Sequence, residues 1–187
     1  TTTLNNSYGS KVFVEEGGFF LNNEMDDFSS KPGHPNFYGL IGSEANSIQP
    51  GKRMLSSMTP SIILKDNKPS LIVGTPGGST IITSVLQTIL NVYEFDLSVQ
   101  EAVNAPRFHH QWLPDVVIFE EGIINKEKDS ILKSKSYFVI SLPIEVDTGG
   151  MSARSSIGAV DAILIDEEGK VSTGADFRGD DYGEILK

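Results

Sequence analysis

Apolar residues come in short clusters up to residue 73, recur at helical spacing from 79 to 93, and return in strand-length runs from 138 onward. Residues 12–14 and 19–21 are β-branched, aromatic or leucine and flank Glu15-Glu16-Gly17-Gly18, which predicts two strands joined by a turn. Residues 29–49 break the pattern. Pro32, Gly33, Pro35, Gly39 and Gly42 punctuate scattered aromatics there, so a long ordered loop is expected, a kind of segment that often carries function. Short apolar runs at 61–64 and 70–73 surround Asp66-Asn67-Lys68-Pro69 and predict a hairpin of buried strands. Ile81, Ile82, Val85, Leu86, Ile89, Leu90 and Tyr93 then repeat with the period of a helix over 79–93. Ser98 and Glu101 form a capping-box pattern for a second helix that ends before Pro106. A surface helix is expected over 125–135, and strands over 138–142, 158–165 and 170–175, the last two linked by Asp166-Glu167-Glu168-Gly169. Strands, two central helices and strands again define an α+β layered sandwich.

With 187 residues and 39% apolar content the chain can bury a core without disulfides or metal, and one domain is the default. The absence of cysteine removes a disulfide framework and a thiolate nucleophile and leaves the compartment open. A formal charge of −10, with no long basic run, argues against nucleic acid and for a small-molecule or peptide partner. No apolar stretch is long enough to cross a bilayer. The opening Thr1-Thr2-Thr3-Leu4-Asn5 has neither the basic nor the apolar region of a signal peptide, so any export signal is expected outside these residues.

Four segments could carry chemistry. In Gly74-Thr75-Pro76-Gly77-Gly78-Ser79 a strand runs in and an amphipathic helix runs out, so free backbone donors converge as they do in an anion site. A tight strand-to-helix turn in which glycine only relieves strain is the other reading. The Lys-Ser/Thr of a phosphate loop and the Gly-x-Ser-x-Gly of a nucleophile elbow are both missing. Ser56-Ser57 before Met58-Thr59-Pro60 sets two hydroxyls in a turn, which such residues also build for structural reasons alone. Asn22-Asn23-Glu24-Met25-Asp26-Asp27 offers carboxylates past a strand end, for an ammonium or simply for water; the ligand pattern of a calcium loop is absent. Phe108-His109-His110-Gln111-Trp112 invites a metal reading, but adjacent histidines in an extended segment point opposite ways. Buried aromatics and a packed, hydrogen-bonded histidine explain it better.

Together these segments resemble the small, catalytic subunit of gamma-glutamyltransferase (gamma-glutamyltranspeptidase), an N-terminal-nucleophile hydrolase. The likeness runs through Thr3-Leu4-Asn5, Leu21-Asn22-Asn23-Glu24-Met25-Asp26-Asp27-Phe28, Lys52-Arg53-x-Leu55-Ser56-Ser57-Met58-Thr59-Pro60, Gly74-x-Pro76-Gly77-Gly78-Ser79 and Asn104-Ala105-Pro106-Arg107-Phe108-His109-His110-Gln111-Trp112, in order over nearly the whole chain. It implies an αββα sandwich completed by a large subunit cut from the same precursor, with residues 1–187 as the C-terminal, small-subunit part. It also implies Gly77 and Gly78 as oxyanion hole, and Ser56, Ser57 and Asn5 around the substrate α-carboxylate. Asp27, assisted by Glu24, would face the α-ammonium. Thr3 would support the nucleophile, and Tyr38 would gate a lid loop. The implied reaction is cleavage of γ-glutamyl amides such as glutathione through a threonyl ester, with water or an amino acid or peptide amine as acceptor and no metal or cofactor. The implied setting is periplasmic, secreted or cell-surface.

In the family the small subunit opens on its nucleophilic threonine and reaches a Thr-x-Thr-Leu-Asn strand only later. Thr1-Thr2-Thr3-Leu4-Asn5 fits that later strand. The nucleophile is therefore expected upstream of Thr1, and these 187 residues alone are expected to be inactive. Relatives acting on poly-γ-glutamate or on glutaryl and cephalosporin amides, and a catalytically dead γ-glutamyl-binding homologue, are the alternatives.

Overall fold

The computed structural model describes residues 4–6, 8–144 and 157–186, and the chain forms two compact units, residues 1–57 and 58–187. Thr1 and Thr3 lie outside the described residues.

The first unit has little regular structure. Strands β1 (Phe13–Val14) and β2 (Phe19–Phe20) pair antiparallel, Phe13 opposite Phe20. Their turn closes where the N–H groups of Gly17 and Gly18 both donate to the Val14 carbonyl, with Gly18 in the left-handed region, so the expected hairpin forms. Tyr8 and Phe13 pack on Phe20 with ring centroids 5.4 and 5.1 Å away. The expected long loop is ordered by its own backbone. Ser29 bridges to Ser47 and Pro35 to Ile41, while the Asn36 side chain accepts from the N–H groups of Tyr38 and Leu40. One turn of 3-10 helix, Glu44–Asn46, closes it, and another, Glu24–Asp27, follows β2.

In the second unit β3 (Ser61–Lys65), β4 (Lys68–Gly74), β8 (Asp161–Ile165) and β9 (Val171–Ala175) form an antiparallel sheet in the order β3-β4-β8-β9. Helices α1 (Ile81–Tyr93) and α2 (Val99–Asn104) cover one face. Alternation decides which side chains enter: Leu71, Val73, Val160 and Ala162 meet Val85, Val92, Val99, Ala102 and Val103 in the core. Ile62, Leu64, Ile72 and Ile163 point to the opposite face and are exposed. The hairpin 61–74 is thus buried on one face only, a correction to the hairpin of buried strands expected, because among the described residues α1 and α2 cover only that face. Ser98 accepts from the Glu101 N–H, and the Glu101 carboxylate accepts from the Ser98 N–H, completing the expected capping box.

A second sheet was not legible as such. Strands β5 (Phe108–His109), β6 (Val116–Glu120) and β7 (Phe138–Leu142) lie in the order β5-β6-β7. β6 and β7 run parallel across α3 (Lys126–Ser134), whose Asn125 cap accepts from the Lys128 N–H at 2.8 Å. Four fully buried charges join this sheet to the rest of the unit. Arg178 grips Glu120 with two nitrogens, at 2.6 and 2.8 Å, and Asp176 at 2.8 Å; Arg107 meets Asp176 at 2.6 Å. Backbone groups add to the cluster: Val160 N–H donates to Asp176, Arg107 N–H to Glu120, and both arginines to the Val103 carbonyl, while Arg107 Nε has no partner among the described residues.

Candidate active site

In the first unit the acidic turn and the serine pair meet. The Ser57 hydroxyl donates to Asp27 Oδ2 at 2.8 Å, and Ser56 stands beside it, exposed. Glu24, one 3-10 turn before Asp27, has both carboxylate oxygens shielded from water and without a hydrogen bond among the described residues. Burial pushes its pKa up to about 7. Asp27 adds to this, because a protonated Glu24 has a hydrogen bond to give it and an ionised one meets its negative charge. Among the described residues the pair is therefore short of a cation. A substrate ammonium is the kind of group that would relieve it.

Asn5 sits at the edge of this acid turn, in the left-handed conformation that asparagine tolerates. The Asn23 amide, oriented by its neighbours, turns its nitrogen to the carbonyls of Leu4 and Asn5 and its oxygen to Asn6 Nδ2. Tyr38, on the long loop, donates its hydroxyl to Asn6 Oδ1 at 3.1 Å. Burial, then the charges of Asp27, Asp26 and Glu24, raise the Tyr38 pKa, which keeps the hydroxyl a donor. Asn5, Glu24, Asp27, Tyr38, Ser56 and Ser57 thus all belong to one unit. Thr3, expected next to them, lies outside the described residues.

The glycine loop belongs to the second unit. β4 ends at Gly74, and a 3-10 turn, Gly78–Thr80, leads into α1, which starts at Ile81 rather than Ser79. Gly77 (φ 142°) and Gly78 (φ 57°) adopt conformations that side chains resist. A Cβ on Gly77 would also lie 2.6 Å from Thr80 Oγ1 and 3.2 Å from the Gly158 Cα. Packing alone thus requires glycine at 77, as the strain-relief reading holds. The N–H groups of Gly77 and Gly78 nonetheless have no partner among the described residues, while the Gly77 carbonyl is spent on Thr80 N–H and Oγ1. The loop is held from behind: Ala159 N–H donates to Thr75 Oγ1 at 2.9 Å, and Ser84 Oγ donates to the Ile157 carbonyl at 3.2 Å. Two adjacent, rigidly held donors are what a developing oxyanion needs.

The histidine segment contains the packed, hydrogen-bonded histidine expected of it. His109 is buried between Thr83 and Gln111, at 2.9 and 2.8 Å, whereas His110 pairs with Asp115. The aromatics do not share that burial, a correction to the expectation: Trp112 is 73% exposed and Phe108 44%. Asn46, Glu120, Asp176 and Arg178 escaped the sequence reading, and Arg107 entered it only as a motif letter. The one signal for Glu120 is a carboxylate closing the apolar run 116–119.

The fold is α+β, of the N-terminal-nucleophile hydrolase type, as in its structural relatives. The gamma-glutamyltranspeptidase from Pseudomonas nitroreducens complexed with L-DON matches all of this chain and 92% of that one, with TM-score 0.84 and 44% identity. An acivicin-inhibited gamma-glutamyltranspeptidase matches 95% of this chain and 90% of its own, with TM-score 0.82 and 45% identity. The family model Gamma-glutamyltranspeptidase covers residues 1–186. The glutathione hydrolase proenzymes of Escherichia coli and Pseudomonas aeruginosa are 43% and 45% identical over 97% and 100% of this chain. The chain belongs to the gamma-glutamyltranspeptidase family. It spans 29% and 32% of those two relatives' lengths.

Proposed function

We propose that this chain is the substrate-binding, small-subunit part of an enzyme that hydrolyses and transfers γ-glutamyl groups, with glutathione as one substrate. The observation that carries the reading is the Glu24-Asp27-Ser57 cluster, two carboxylates without a cation among the described residues, beside a hydroxyl. Asp27 and Glu24 hold the α-ammonium, and Ser56, Ser57 and Asn5 the α-carboxylate. The N–H groups of Gly77 and Gly78 receive the amide oxygen as it becomes an oxyanion. A threonine upstream of Thr1, supported by Thr3, attacks the γ-carbonyl through its hydroxyl oxygen, and the C–N bond breaks as the leaving amine takes a proton. Water or an acceptor amine then attacks the threonyl ester, releasing glutamate or a new γ-glutamyl amide and returning the proton to the threonine. Tyr38 on its loop limits access of water. A large subunit from the same precursor is the partner chain, and the setting is periplasmic, secreted or cell-surface. Family membership, the names of the relatives and the charge balance of the cluster support this reading.

Assaying the protein expressed from its whole coding sequence against γ-glutamyl, poly-γ-glutamyl and glutaryl substrates tests it. Selective turnover of γ-glutamyl anilide and glutathione is expected; a preference for either other class overturns the substrate assignment. The 187-residue chain alone is expected to be silent, and turnover by it would place the nucleophile within these residues instead.

A further inference from the structure

Asn46 forms hydrogen bonds in four directions. Its Nδ2 donates to the Asp27 carbonyl at 2.7 Å, and its Oδ1 accepts from the Leu55 N–H at 3.0 Å. Its own carbonyl accepts from the Ser29 N–H at 2.9 Å, and its N–H donates to the Ser43 carbonyl at 3.1 Å. Asn46 closes the 3-10 turn Glu44–Asn46 and is half-buried, so few torsions remain by which its amide could move. One planar amide thus spans the backbone of the acidic turn and the residue directly before Ser56.

The direct contact between these segments, Ser57 Oγ to Asp27 Oδ2, cannot set their spacing in a working site. A zwitterion binding there claims both groups, the ammonium taking Asp27 and the carboxylate taking Ser57. The Asn46 side-chain bonds go to the backbone of Asp27 and Leu55, which neither the ammonium nor the carboxylate claims, so the exchange does not require them to break. We infer that Asn46 is a positioning residue that fixes the separation of Asp27 from the Ser56-Ser57 pair, and so makes the site selective for an α-amino acid end. This rests on the functional reading above. An amide is needed because one end must donate and the other accept. Aspartate, ionised, keeps the bond from Leu55 and turns an oxygen against the Asp27 carbonyl.

The test uses the full-length, processed enzyme and its Asn46→Ala and Asn46→Asp variants, with kcat and KM measured on γ-glutamyl p-nitroanilide and on glutaryl p-nitroanilide, which lacks the α-ammonium. For Asn46→Ala, KM for the γ-glutamyl substrate should rise on the order of tenfold or more, as expected for two lost hydrogen bonds at a partly buried site. The glutaryl substrate should be affected far less, so the preference between the two shrinks. Asn46→Asp should shift the preference in the same direction, and it decides the question if the alanine variant does not fold. Unchanged preference in a folded variant, or equal losses on both substrates as a general structural defect gives, overturns the inference while leaving the functional reading standing. A wild-type enzyme that does not favour the γ-glutamyl substrate overturns both.

Discussion

Two residues make the chemistry sensitive to single substitutions. At Gly77 even a methyl group is too much: the φ of 142° and the 3.2 Å approach to Gly158 would force the loop to shift. Gly77→Ala in the intact enzyme should therefore lower kcat on the order of 10²–10³-fold, the usual cost of a lost oxyanion donor, with little change in KM. Steady-state kinetics would show it, and near-normal turnover would remove the loop from the mechanism. At Glu24 the effect is one of protonation. Its pKa of about 7 means that the carboxylate becomes available to an ammonium only as the pH rises through that value. KM for γ-glutamyl substrates should fall across this range, and Glu24→Gln should flatten that dependence in a pH–KM profile. The sign is opposite for stability. The raised pKa contributes fully below the ordinary 4.5 and is lost as the pH rises through about 7.

The elements differ in how far the sequence announced them. Helix α1 and the capping box of α2 were legible because each rests on a local period or a four-residue pattern. Removing the cap with Ser98→Ala should cost about 1 kcal/mol, readable as a lower midpoint in urea. The parallel pairing of β6 with β7 was not legible, since residues 121–137, α3 among them, intervene and no local pattern encodes a partner. The residues proposed for function show the same division. Ser56, Ser57, Asp27 and the glycine loop stand in conspicuous local motifs, whereas Asn46 acts only through backbone groups distant in sequence. The buried quartet was missed for a further reason: charged letters read as surface until their partners are known. Asp176 is the carboxylate partner of the Arg107 guanidinium, so Asp176→Ala would strand Arg107 in the interior and leave Arg178 paired with Glu120 alone. A loss of about 3–5 kcal/mol is expected, as a matching drop in unfolding free energy by denaturant titration.

On the scale of the whole chain, apolar surface remains after each unit has built its core. Ile82 and Leu86 on α1 are 64% and 53% exposed, and the outer face of the four-stranded sheet carries Ile62, Leu64, Ile72 and Ile163. Such surface seeks cover, and relatives three times as long have chain to supply it. The isolated 187 residues should self-associate in sedimentation velocity, and the double change Ile82→Glu with Leu86→Glu should reduce this; a monodisperse monomer at high concentration would refute it. The buried quartet has the opposite character. Two positive and two negative charges cancel there, out of reach of dissolved ions, while the chain as a whole carries −10. Added salt screens the repulsion outside and leaves the pairing inside untouched. The second unit is thus equipped to tolerate brine: rising ionic strength should hold or raise its melting temperature.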